Sequence, residues 1–212
     1  AAQCEQCISE ALEAGYRLFD TAASYENEAS IGAALRSSRL PREELFITTK
    51  LWAQDAGYDS TLKAFDRSLK QLGLDHIDLY LIHQPFGDYY GAWRAMEEAY
   101  KEGKLKAIGV CNFYPNRLAD LCETVEVKPA VNQVETHVFQ QQKVAKKYME
   151  KHGTQIMSWG PFAEGKTDYF QNPVLKEIAA QYGKSVAQLA RRFLLHNDVV
   201  LLPQSPPATR LH

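Results

Sequence analysis

Asp20, Tyr25, Lys50 and His83 are the side chains of this 212-residue sequence whose types and spacing together could protonate a reduced carbonyl. Asp20 and Tyr25 lie in Gly-Tyr-Arg-Leu-Phe-Asp-Thr-Ala-Ala-Ser-Tyr (15–25), Lys50 closes Leu-Phe-Ile-Thr-Thr-Lys (45–50), and His83 follows Asp-Leu-Tyr-Leu-Ile (78–82). A hydride arriving at a carbonyl carbon leaves an alkoxide, which must be protonated as it forms. Tyr25 can be that acid, but an unperturbed phenol, with a pKa of about 10, gives up its proton reluctantly near neutrality. A lysine alongside favours the phenolate, and a carboxylate such as Asp20 keeps that lysine charged and aimed. His83 could hold the carbonyl oxygen and orient the substrate.

Taken singly, each residue has an ordinary explanation. A tyrosine after a strand is usually a half-buried aromatic, a strand-end lysine a solvated charge, and a lone histidine a hydrogen-bonded core residue. The four occur together, however, each at the end of an expected strand, which is where loops carry sites on rigid scaffolds.

The elements that must position them alternate throughout. Strands are expected at 17–20, 45–50, 77–82, 105–110, 130–134, 154–158 and 199–202, and helices at 6–14, 28–37, 60–72, 91–102, 115–123, 141–152, 173–182 and 185–196. Helix 60–72 carries Leu62, Phe65, Leu69 and Leu72 on one face, with Ser60 as expected N-cap and Gly73 past its end. Strand 77–82 is apolar except for Asp78, as expected for a strand covered on both faces. Such alternation argues for parallel βαβ units, hence a barrel or a doubly wound sheet. No Gly-x-Gly-x-x-Gly follows the first strand, and polar candidates end strand after strand. The expected fold is therefore α/β, a (β/α)8 TIM barrel with its site on the C-terminal face, here incomplete at about seven strands. It forms a single domain over 1–212, with a catalytic half (1–110) and a cofactor-binding half (105–212).

The three stretches around Asp20, Lys50 and His83 resemble the aldo-keto reductase family, and the second half resembles it too. In Ala-Ile-Gly-Val-Cys-Asn-Phe (107–113), Asn112 matches the family asparagine that binds the nicotinamide carboxamide, while Cys111 stands where a serine is usual. Gln133 matches a second carboxamide ligand, and Trp159 falls where the family stacks an aromatic ring, usually Tyr, on the nicotinamide. Ser205 and Arg210 match positions that hold the adenosine 2′-phosphate, whereas Gln204 replaces the usual lysine. Gln84 replaces a tryptophan common after the catalytic histidine, opening a substrate pocket whose remaining walls are expected to be Trp52, Phe86 and Phe113. The resemblance implies NADPH as cofactor, with NADH accepted less well, and an aldehyde or ketone substrate. Bacterial and protist members reducing 2,5-diketogluconate, small aldehydes and prostaglandin precursors are the most similar in motif. Family members begin with a hairpin and a first barrel strand that the 212 residues lack, and barrels of this type run to about 250 residues, so the complete protein is expected to be longer.

Composition agrees with one enzyme domain: 45% of residues are hydrophobic and 24% charged, enough for a large core. The longest apolar runs, 199–202 and 79–82, are far short of the roughly 20 residues a membrane span needs. A net charge of −2 with interspersed signs gives no reason to expect nucleic acid or membrane as partner. A cytoplasmic monomer is expected. Cys4 and Cys7 form Cys-x-x-Cys without a second ligand pair, and no metal is expected. Two other classes stay open at this stage: a cofactor-binding barrel of regulatory or structural role, whose mark would be a damaged tetrad, and a barrel hydrolase or isomerase using Asp20 and Glu135.

Overall fold

The computed structural model describes residues 2–166 and 168–202. Seven parallel strands, β1 (Leu18–Asp20), β2 (Phe46–Leu51), β3 (Leu79–Ile82), β4 (Ile108–Cys111), β5 (Val131–Glu135), β6 (Gln155–Trp159) and β7 (Val200–Leu201), pair strictly in chain order. Among the described residues eight α-helices accompany them: α1 (Ala2–Glu13), α2 (Glu28–Ser38), α3 (Tyr58–Leu72), α4 (Tyr89–Lys101), α5 (Pro115–Thr124), α6 (Lys143–His152), α7 (Pro173–Gln181) and α8 (Val186–His196).

The sheet is curled. Adjacent strands lie about 4.8 Å apart, so β1 and β5 would be separated by roughly 19 Å in a flat sheet. Instead Gln133 Nε2 on β5 donates to Asp20 Oδ2 on β1 at 3.0 Å. The same curvature brings Leu79 and Leu81 of β3 against Met157 of β6 and Cys111 of β4, which form the inner core. The alternate residues Tyr80 and Ile82 face outward, against Phe65, Trp93 and Met96 of the helix layer. All four residues of β3 are buried, as expected for a strand covered on both faces. Gly109 on β4 is required by the tight interior, since a Cβ there would stand 2.6 Å from the Val131 carbonyl oxygen and 2.8 Å from Leu81.

Local signals explain most boundaries. Gly73 ends α3 in the left-handed region at φ 68°, its amide bonded to the Leu69 carbonyl. Helix α3 begins at Tyr58 rather than at 60, because Gly57 takes the cap position and Ser60 lies within the first turn. The expected strand 105–110 is shorter and later; Leu105 makes only an isolated bridge to Ile77. Between Ile77 and β3, Asp78 turns its buried carboxylate back onto the Ile47 amide (2.8 Å), with Arg42 at 2.6 Å and Lys106 at 3.0 Å. This charged lock sits at the N-terminal end of the strands, away from the catalytic candidates, where barrels carry stability rather than chemistry. Among the described residues no helix is long and apolar enough to cross a membrane.

Candidate active site

Every described candidate for chemistry is at the C-terminal end of a strand or just beyond it. Asp20 closes β1, Lys50 is the penultimate residue of β2, and His83 follows β3. Period-two alternation divides β2: Thr49 points outward and donates to Glu28 of α2 at 2.6 Å, so Lys50 points inward. The Lys50 side chain is fully buried, and its Nζ donates to Asp20 Oδ1 at 2.5 Å and to the Thr21 carbonyl at 2.8 Å. After β1 the chain makes a 3-10 turn, Ala23–Tyr25, which returns the half-exposed Tyr25 over this pair. Lys50 Nζ lies 5.1 Å from the centroid of the Tyr25 ring. The His83 ring meets the edges of Tyr25 and Trp52, with centroids at 5.7 and 5.3 Å.

Burial and charge set the protonation states. Burial pulls the Lys50 ammonium down most strongly, but the acidic groups around it, Asp20 first among them and Cys111 and Tyr25 adding to it, together raise the Lys50 pKa, so the lysine is a cation at neutral pH. Burial pushes the Tyr25 phenol up, and Lys50 is the main influence pulling it back. Lys50 thus favours the phenolate in the direction its charge implies, but burial is the larger influence, and Tyr25 holds its proton at neutral pH. Burial, with the nearby Lys50 charge second, lowers His83 to about 4, leaving a neutral imidazole under ordinary conditions.

The second half of the strand series contributes amides and a ring. Asn112, just past β4, adopts φ 60°, and its Nδ2 donates to the His83 carbonyl at 3.2 Å while its Oδ1 accepts from Trp159 Nε1 at 2.9 Å. Gln133 is buried, its Nε2 shared between Asp20 and Met157 Sδ, and Cys111 directs its thiol toward Gln133 Oε1 at 3.8 Å. Asp20, Tyr25, Gln133, Trp159 and Gly160 border one end of a cavity of about 390 Å³ that continues between the edge strands β1 and β7, where Ile8 and Ala11 of α1 and Leu201 line it. The sequence reading missed the Thr21 carbonyl, which accepts a second hydrogen bond from Lys50 Nζ, and Ser24, whose Oγ lies 3.3 Å from His83 Nδ1.

On the substrate side, Trp52 and Gln84 are partly exposed and Phe86 is open to solvent, on a loop held by Arg117 through the Pro85 carbonyl. Phe113 is different. It is fully buried, edge-on to Tyr89 at 5.2 Å, and supports this region from the core instead of lining an open pocket. Gln204, Ser205 and Arg210 lie outside the described residues. Cys4 and Cys7 are both on α1, and no cluster of three or more potential metal ligands occurs among the described residues.

Known proteins are similar to this chain over nearly its whole length. The glyoxal reductase of Bacillus subtilis (strain 168) is 45% identical over 204 residues, covering 96% of this chain and 73% of its own length. The 9,11-endoperoxide prostaglandin H2 reductase of Trypanosoma cruzi (strain CL Brener) is 42% identical, covering 99% of this chain and 75% of its own. A Bombyx mori aldo-keto reductase solved in complex with NADP superposes with a TM-score of 0.92 at 34% identity, over 98% of this chain and 75% of that one. The aldo/keto reductase family profile matches residues 1–211, and with relatives this similar over nearly its whole length, the chain belongs to that family.

Proposed function

We propose that this protein reduces small aldehydes and ketones to alcohols with NADPH, using Tyr25 as proton donor. The observation that carries the reading is Lys50 Nζ, held 2.5 Å from Asp20 and facing the half-exposed Tyr25 ring: a buried cation beside a protonated phenol. The donor set fits a nicotinamide ring and its carboxamide. Asn112 retains a second amide proton and a second oxygen lone pair beyond its bonds to His83 and Trp159. Trp159 has its indole edge tied to Asn112, which leaves a partly exposed ring for stacking beside the cavity that also reaches Asp20 and Tyr25. Cys111 and Gln133 would back the carboxamide, and Ser205, Arg210 and Gln204 would meet the 2′-phosphate.

NADPH, when bound, supplies the hydride. The chain's own residues handle the oxygen and the proton. Neutral His83 donates a hydrogen bond to the substrate carbonyl oxygen and orients it toward Tyr25. As the carbonyl π pair moves onto that oxygen, Tyr25 transfers its phenolic proton to it, and Lys50 stabilises the phenolate that remains. Asp20 keeps Lys50 ionised and fixed, and solvent reprotonates Tyr25 through its exposed side. Trp52, Gln84 and Phe86 form a polar-edged, open mouth suited to small carbonyl compounds. Chain similarity to a glyoxal reductase supports that substrate class.

The test is the loss of NADPH absorbance on mixing with glyoxal, in the parent and in Tyr25→Phe. Because the donor acts only in the transition state, kcat should fall by at least ~10²-fold while the NADPH Kd is unchanged. Undiminished turnover in Tyr25→Phe would exclude Tyr25 as the acid.

A further inference from the structure

His83 is held through its backbone and two faces of its ring. Its amide donates to the Leu51 carbonyl at 3.0 Å, its own carbonyl accepts from Asn112, and its ring is wedged edge-on against Tyr25 and Trp52. Its imidazole has one polar partner among the described residues, Ser24 Oγ, at 3.3 Å from Nδ1. Ser24 precedes Tyr25 on the same 3-10 turn, so the loop that delivers the acid also delivers this hydroxyl.

A neutral imidazole carries one N–H, and which nitrogen bears it decides what the ring can do. If Nδ1 carried the proton and donated to Ser24, Nε2 would meet a carbonyl oxygen lone pair to lone pair, and the two would repel. If the Ser24 hydroxyl donates to Nδ1, the proton stays on Nε2, the nitrogen left free for substrate. Ser24 can spend its hydrogen this way because its oxygen is exposed beside a water-accessible cleft of about 360 Å³ between Glu26, Gln54 and Arg67, where solvent can donate to its lone pairs.

We propose that Ser24 is a positioning residue that donates to His83 Nδ1 and thereby keeps the His83 proton on Nε2, ready for the substrate oxygen. The proposal rests on the reading of His83 as the group that holds that oxygen.

The tautomer can be read directly by long-range proton–nitrogen correlation on histidine-labelled protein at neutral pH, with His83 assigned by its loss in His83→Gln. The parent and Ser24→Thr should show the proton on Nε2. Ser24→Ala should shift it toward Nδ1, lower kcat/KM for glyoxal about tenfold, and leave the NADPH Kd unchanged. A parent with its proton on Nδ1 overturns the proposal. So does a Ser24→Ala variant that keeps the Nε2 tautomer, whatever its activity, since Ser24 would then act only through packing. If the protein reduces no carbonyl compound, the functional reading fails, and the nitrogen spectra still decide the Ser24 bond on their own.

Discussion

Gln133 Nε2 and Asp20 Oδ2, 113 residues apart in sequence, meet at 3.0 Å across the inside of the curled sheet. Asp20 thus divides its carboxylate, one oxygen for the Lys50 ammonium and the other for the Gln133 amide. The amide that family resemblance assigns to the nicotinamide is therefore also part of the machinery that aims the lysine.

Replacing Gln133 by Met keeps the volume and removes that donor. A buried carboxylate oxygen left without its partner costs about 1–3 kcal/mol. Urea unfolding should show a loss of that size, and kcat should fall along with cofactor affinity. Unchanged stability would mean that the Gln133–Asp20 bond does not form in solution.

The Lys50–Asp20 pair separates structure from chemistry. Removing one member of a buried ion pair typically costs about 3–5 kcal/mol, because the other charge is stranded, whereas replacing both is often nearly neutral. Lys50→Met alone should therefore be both unstable and slow. Lys50→Met combined with Asp20→Asn should recover most of the stability and none of the turnover, since Tyr25 then has no cation to receive its negative charge. A double variant that regains activity with its stability would show that the pair is structural only.

His83 provides a pH test. Its folded-state pKa of about 4 lies below the 6.5 of an unperturbed histidine. Between those values the unfolded chain binds a proton that the folded chain does not. Stability from this residue is therefore fully present above about pH 6.5 and is lost as pH falls toward 4. The thermal midpoint should fall on acidification through that window, and less steeply in His83→Gln. The His83 ring proton should titrate in NMR near pH 4, so a midpoint near 6.5 would remove the basis for a neutral imidazole at work in the site.

Much of this was legible in the sequence because the signals were local. The buried run 79–82, the apolar face of Phe65 and Leu72, and Gly73 after them each identify an element from its own residues. Strand-end positions for Asp20, Lys50 and His83 followed from those elements. What escaped depended on curvature and backbone. The contact between Asp20 and Gln133 exists only because the sheet bends β5 toward β1. Phe113 is buried directly after a left-handed Asn112, at φ 60°, a conformation that no composition signal announces, since asparagine is only one of the residues that tolerate it. The net direction of the Tyr25 shift was not legible, because a motif reveals the neighbouring lysine but not how much water the fold removes.

Cofactor preference is the remaining question that one residue can answer. A hydrogen bond to a charged partner contributes about 1.5–3 kcal/mol when well made, and glutamine at position 204, which the family resemblance assigns to the 2′-phosphate, would offer it a neutral donor where a lysine is usual. With Arg210 and Ser205 retained, NADPH should still be preferred over NADH, though by a reduced margin. Gln204→Lys should tighten NADPH by about tenfold or more and leave NADH unchanged, because only NADPH carries the phosphate. Fluorescence titration of both cofactors measures this directly. Equal tightening of the two would place residue 204 away from the 2′-phosphate, and the reduced preference would then need another cause.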